Sequence, residues 1–132
     1  MKRFGLSANE RIKSRNDFEL VYTSGEVLFS SSNRLKAAIL IRNENEEAVL
    51  KTAFAVSRKC GNAVWRNRVK RLLRESFRLN KESLKAEVDS KRKFLLVVLS
   101  PNTINQKKNK KIILKDIMND VIDLLNQIRA KL

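Results

Sequence analysis

The sequence predicts a single α+β domain spanning residues 1–132, with the element order α–β–β–β–α–β–α around one sheet. Three observations carry this prediction. Phe94-Leu95-Leu96-Val97-Val98-Leu99 is an unbroken apolar run of strand length, the pattern of a strand buried on both faces. Residues 62–80 and 110–130 place apolar side chains at helical spacing. Two further apolar runs, rich in β-branched and small residues, precede the first of these helices. At 132 residues the chain favours one core, and no internal repeat, linker or low-complexity tract divides it.

Each element has a local cause. Residues 1–13 are basic and irregular. Ser14 is an N-cap with Asp17 in the capping-box position, and the helix it opens runs to about Thr23, with Gly25 ending it. Phe18, Val21 and Tyr22 fall at i, i+3 and i+4 on that helix, a stripe that by spacing alone reads as core. Val27-Leu28-Phe29 is a short strand or extended lead-in. Leu35–Ile41 and Ala48–Val56 are longer strands, and the turn-forming Asn43–Glu47 between them predicts a hairpin. A helix follows from about Asn62 to Asn80. Lys81–Lys91 is polar and reads as a short helical extension. Pro101 stops the apolar strand. A loop carrying Lys107, Lys108, Lys110 and Lys111 reads as solvated. The last helix, Lys110–Ala130, turns Ile113, Ile117, Val121, Leu124, Leu125 and Ile128 inward.

The helix at 62–80 carries most of the functional information. At about 100° per residue, Trp65, Val69, Leu72, Ser76 and Leu79 share one side, while Arg66, Asn67, Lys70, Arg71, Arg74 and Arg78 spread over the other. Arg68 and Glu75 fall on the flank, and Phe77 interrupts the basic side. Only Glu75 offsets these cations, and it follows Arg71 at i+4, the weaker order for a helix ion pair. Such self-repulsion makes sense when a polyanion neutralises it, and the planar guanidinium fork suits phosphate.

Composition narrows the function classes. Lysine and arginine number 29 against 14 acids, a formal charge of +15, which favours nucleic acid first and an anionic membrane surface second. The chain has no histidine, so histidine acid–base catalysis and histidine metal sites are excluded. Glu44, Glu46 and Glu47 read as a solvated turn, and Gly5, Gly25 and Gly61 form no phosphate-cradling motif. Catalytic residues and metal ligands are therefore expected to be none. The lone Cys60 beside Gly61 reads as a small filler and fits a reducing cytoplasm. No apolar segment is long enough to span a membrane, and Met1–Glu10 lacks the apolar stretch of a signal peptide.

Ala55-Val56-Ser57-Arg58-Lys59, then Gly61-Asn62-Ala63-Val64 and Arg66-Asn67-Arg68-Val69-Lys70-Arg71-Leu72-Leu73-Arg74-Glu75, resembles the signature of the bacterial ribonuclease P protein component. Arg11-Ile12, Asp17-Phe18, Val21-Tyr22 and Gly25 resemble that family's first-helix pattern, and the element order matches over nearly the whole chain. The resemblance implies a non-catalytic subunit of an RNA-based endoribonuclease. In this family an RNA subunit using magnesium ions cuts the 5′ leader from precursor tRNA. The ions are held mainly by the RNA subunit and the substrate. The protein binds both RNAs, with no obligate protein partner, and is inactive alone.

It also implies a fold resembling the second domain of ribosomal protein S5, the ribosomal protein S5 domain 2-like fold, with a left-handed β–α–β crossover. Matched by position, Arg66, Asn67, Arg68, Lys70, Arg71 and Arg74 correspond to contacts with the catalytic RNA. Phe18 and Tyr22 correspond to aromatics lining a leader cleft between first helix and sheet, with Ser57, Arg58 and Lys59 contributing leader or phosphate contacts. Two positions depart from the family pattern. An aromatic common near Ile39 is aliphatic here, and Leu99-Ser100 precede Pro101 where a basic residue is common. A ribosomal or other structural RNA-binding protein shares the charge, size and fold, but does not need the Phe18/Tyr22 cleft. A helix-turn-helix DNA reader needs a helix just upstream of the arginine helix, where this sequence has a strand.

Overall fold

The computed structural model describes residues 10–43 and 47–132. The basic stretch up to residue 9, and Glu44, Asn45 and Glu46 of the acidic turn, lie outside the described residues. The elements are α1 (Arg15–Ser24), β1 (Glu26–Phe29), β2 (Leu35–Arg42), β3 (Val49–Phe54), a 3-10 turn at Arg58–Cys60, α2 (Ala63–Asn80), α3 (Glu82–Lys91), β4 (Phe94–Pro101) and α4 (Leu114–Lys131). The predicted order holds with one addition. The polar stretch after Lys81 is a helix of its own, ended by Arg92 in the left-handed conformation at φ 51°. Lys81 sits buried at the corner between α2 and α3, with its Nζ 2.6 Å from Glu10.

The four strands form one sheet in the order β1-β2-β4-β3. β2 is antiparallel to β1 and β4, and β3 is parallel to β4. The predicted hairpin between the two longer strands therefore does not form, because β4 lies between them. The reason is in β4 itself. Leu95 to Leu99 are all fully buried, so this strand belongs in the middle, with a partner on each side and helices above and below. β3 reaches it in parallel through α2 and α3, as a parallel pair requires a long crossover. The local hairpin is β1–β2 instead. Its turn is closed by Ser30, whose amide donates to the Leu35 carbonyl (3.0 Å) and whose Oγ accepts from the Leu35 amide (3.1 Å).

Alternation along the strands sorts the core into two layers. Leu35, Ala37 and Ile39 of β2 and Leu95, Val97 and Leu99 of β4 pack beneath α2, α3 and α4. Ala38, Leu40, Leu96, Val98 and Ala53 face the other way, where Val21 of α1 and Ile12 cover them. α1 is short, and part of this second face stays open. α1 is capped by Ser14 as the sequence indicates, and α2 is capped by Asn62. Ser14 Oγ accepts from the Asp17 amide at 3.4 Å, and Asn62 Oδ1 accepts from the Trp65 amide at 2.9 Å. A cap of this kind contributes about 1 kcal/mol.

The buried stripe of α2 differs from the predicted one. Trp65, Val69, Leu73, Ser76 and Phe77 are buried, while Leu79 is 39% exposed and Leu72 half-buried. The helix is rolled so that Phe77, predicted to break the basic face, points into the core against Phe54. Ile113, predicted to face inward, is likewise exposed, because α4 begins at Leu114, four residues after the predicted start at Lys110, and Ile113 only precedes it. The rest of the predicted inner face of α4 is buried.

Gly25 ends α1 for a reason other than left-handed backbone, since its φ is −91°. The helix end is pressed onto β2, and a Cβ there would lie 2.2 Å from the Ile39 carbonyl oxygen and 2.4 Å from that of Val21. Gly25→Ala must lift α1 from the sheet. Overpacking of this kind costs about 1–3 kcal/mol, and a urea-unfolding comparison with the parent protein is expected to show that loss.

Candidate nucleic-acid interface

Two surfaces stand out, and α2 carries the first. Asn67, Arg68, Arg71 and Arg74 are exposed along it, with Arg66 and Lys70 half-buried at the border of the core stripe. Two of the arginines are held by backbone carbonyls. Arg66 Nε donates to the Gly61 carbonyl at 3.1 Å, and Arg68 Nε donates to the Ile112 carbonyl at 2.8 Å. Each bond uses only Nε, so the terminal amino groups remain available to an anion. Fixing the stem beforehand also reduces the rotamer entropy lost on binding. The Arg74 guanidinium lies 6.0 Å from the Phe54 ring centroid, a cation–π arrangement.

Charge compensation is confined to the end of the helix. Glu75 pairs with Arg78 rather than with Arg71, and Arg78 Nε donates to Glu75 Oε2 at 3.1 Å. This hydrogen bond holds the Glu75 carboxyl below its usual value and raises Arg78 above its own. The stretch from Arg66 to Arg74 itself contains no acid.

The second surface is a groove of about 390 Å³ between α1 and the open part of the sheet. Tyr22 and Val27 form one side, Lys36 and Ala38 of β2 and Ser100 and Pro101 of β4 the floor, and Ala55, Val56 and Ser57 the far side. Tyr22 is 57% exposed. Partial burial raises its phenol above the ordinary value, so it offers a neutral ring and a hydroxyl donor, not a phenolate that would repel phosphate. Phe18 does not line this groove. It is half-buried against the α1-side core and lines an adjoining hollow with Lys13, Arg15, Glu19, Tyr22 and Thr23. Tyr22 is the ridge shared by both.

Ser57, Arg58 and Lys59 lie where the groove meets the start of α2. Ser57 Oγ accepts from the Lys59 amide at 3.2 Å and caps the 3-10 turn, leaving Arg58 and Lys59 exposed. The candidate residues thus fall into two connected sets, with Tyr22 and Ser57 in the groove, Phe18 beside it, and the arginines on α2.

Of the remaining groove residues, Val27, Lys36 and Ala38 were not read from the sequence as site residues, while Ser100 and Pro101 entered it only as the place of an absent basic residue. Lys36 had a usable signal, a charge inside an otherwise apolar strand and on the same face as Ala38. It pairs across the ladder with Ser100. The groove therefore has a cation on β2 opposite the position where a basic residue before the proline is absent. Ile39, where an aromatic is absent, points into the opposite face and is buried, and Ala38 lines the groove instead.

The family model for Ribonuclease P matches residues 6–125 of this chain. The chain belongs to the ribonuclease P protein family. The ribonuclease P protein component of Clostridium novyi is 35% identical over 122 residues, covering 92% of this chain and 96% of that protein. That of Syntrophus aciditrophicus is 36% identical over 107 residues, covering 81% and 82%. Among solved structures, the ribonuclease P protein of Thermotoga maritima aligns with a TM-score of 0.66 at 26% identity, covering 89% of this chain and 96% of that one. The Staphylococcus aureus protein aligns with a TM-score of 0.63, covering 90% and 94%. The ribonuclease P protein fold is thus shared over about nine-tenths of this chain. Among the described residues, no helix is long and apolar enough to cross a membrane.

Proposed function

We propose that this chain, as the protein subunit of ribonuclease P, grips the catalytic RNA with the basic face of α2 and holds the 5′ leader of precursor tRNA in the groove beneath Tyr22. The observation that carries this reading is the adjacency of an uncompensated arginine face and an aromatic-rimmed groove, joined through Ser57–Lys59. An RNA face alone would serve any structural RNA-binding protein. The groove adds a site sized for single-stranded nucleotides, whose bases stack on aromatic faces irrespective of sequence.

On this reading the chemistry lies with the RNA subunit, in keeping with a sequence that has no histidine. Magnesium ions belong, on this reading, with the RNA subunit and the substrate. Cys60, a free and half-buried thiol, suits the reducing cytoplasm in which such a particle would work. RNA-free protein is expected to leave precursor tRNA uncut at any magnesium concentration. Cleavage that disappears on mutating the protein's own carboxylates would overturn this.

The test of the RNA face is the triple substitution Arg66→Ala, Arg68→Ala, Arg71→Ala. Assembly with a bacterial catalytic RNA is expected to weaken, and cleavage to need more magnesium. The logarithm of the binding constant should also fall less steeply with the logarithm of salt, by about two to three in slope if each arginine neutralises one phosphate. A folded triple variant that binds the catalytic RNA as the parent does would refute the assignment.

A further inference from the structure

The lysine-rich segment between β4 and α4 has the composition of a free loop, but it is fastened to the start of α2. The Gln106 amide donates to the Cys60 carbonyl at 2.7 Å, and Gln106 Oε1 accepts from the Asn62 amide at 2.8 Å. Trp65 Nε1 donates to the Asn109 carbonyl at 2.9 Å, and Arg68 Nε to that of Ile112 at 2.8 Å. Within the segment, the Asn109 amide donates to the Asn105 carbonyl at 2.7 Å and the Lys108 amide to Asn105 Oδ1 at 2.9 Å. Gly61 makes the docking possible, since a Cβ there would lie 2.8 Å from Gln106 Cβ. The loop is therefore ordered by bonds between its backbone or its amide side chains and α2.

None of those bonds uses a lysine side chain. Lys107, Lys108, Lys110 and Lys111 are all exposed, and none makes a side-chain hydrogen bond or ion pair. The segment that bears these four lysines is thus docked on the stretch of α2 that carries Trp65 and Arg68, with no acid among residues 102–115. Concentrating like charge on a docked segment is unfavourable unless an anion takes it up. A surface of spaced ammonium groups, without aromatic rings or a groove, suits the phosphate backbone more than base edges.

We infer that the docked Lys107–Lys111 loop is a second RNA contact, a ledge that continues the arginine face of α2 and neutralises backbone phosphates. The inference rests on the proposed role of α2, and its test separates the two. The variant is Lys107→Gln, Lys108→Gln, Lys110→Gln, Lys111→Gln in the full chain. It keeps every docking bond, so its thermal melt should match the parent.

Binding to a bacterial catalytic RNA is measured against salt for the parent, the lysine variant and the α2 arginine triple variant. The lysine variant is expected to bind more weakly, with a salt slope shallower by about two to four. A second titration, of precursor tRNA against holoenzyme assembled at saturating protein, shows whether the phosphates belong to the catalytic RNA or to the substrate. A loss in either titration supports the ledge. Parental binding and salt slope in both, alongside a weakened arginine variant, would overturn the ledge and leave the α2 reading intact. If neither variant loses affinity, both assignments fall.

Discussion

Phe77→Ala is expected to lower the stability of the free protein by about 3–5 kcal/mol, the range for emptying a buried phenylalanine site. That is a large share of what a domain of this size has in reserve. Phe77 is 1% exposed and meets Phe54 edge-to-face, with ring centroids 6.0 Å apart. Leu73, one turn earlier, and Val69 before it complete the same buried row. Leu79→Ala is the informative comparison, because the helical pattern read from sequence puts Leu79 in the core and Phe77 outside. The structure reverses them, so Leu79→Ala should cost well under 1 kcal/mol, the usual scale for a surface change. Urea unfolding of the two variants checks this. Equal losses, or a larger one for Leu79, would mean that α2 is rolled differently on the sheet.

The roll of α2 shows what a sequence can and cannot specify. Both candidate stripes contain Trp65, Val69 and Ser76. Choosing between Leu72/Leu79 and Leu73/Phe77 depends on where the sheet and α4 lie, and that is tertiary information. The sheet order is a similar case. Asn43–Glu47 is good turn chemistry, so pairing the flanking strands is the economical local inference. Yet the fully apolar β4 competes for the same edges and occupies the centre. The helix start at Ser14 was legible because capping is a matter of three neighbouring residues.

The functional surfaces were legible to different degrees for the same reason. The arginine face lies on one helix and could be drawn from periodicity, apart from the Glu75 partner. The groove is assembled from α1, three strands and the segment after β3, and only Tyr22 and Ser57 were singled out among its lining residues. The lysine loop is the extreme case. Its charges are evident in the chain, but its docking depends on bonds to Cys60, Asn62, Trp65 and Arg68, more than forty residues away.

Tyr22→Ala is expected to weaken binding of leader-bearing precursor tRNA to the holoenzyme by about 1–3 kcal/mol for each base that the ring stacks, roughly five- to 150-fold. The fold should tolerate the change, since more than half of Tyr22 already faces solvent. Phe18 needs a different design, because it is half-buried against the α1-side core and its removal carries a packing cost. Phe18→Leu keeps most of the apolar volume while deleting the ring, so it separates stacking from support. A Tyr22→Ala, Phe18→Leu double variant should then lose more leader affinity than either single change if the groove and the adjoining hollow hold successive nucleotides. The two residues share one side of α1 and Tyr22 lines both spaces, which is why their effects are expected to combine. Binding of mature tRNA, which lacks the leader, should change little in every variant. Thermal melts beside titrations with both tRNAs decide the matter. Equal losses on the two tRNAs would remove the leader from this groove and leave Tyr22 as a general RNA contact. A collapsed melt for Tyr22→Ala would instead mean that the exposed ring supports the sheet.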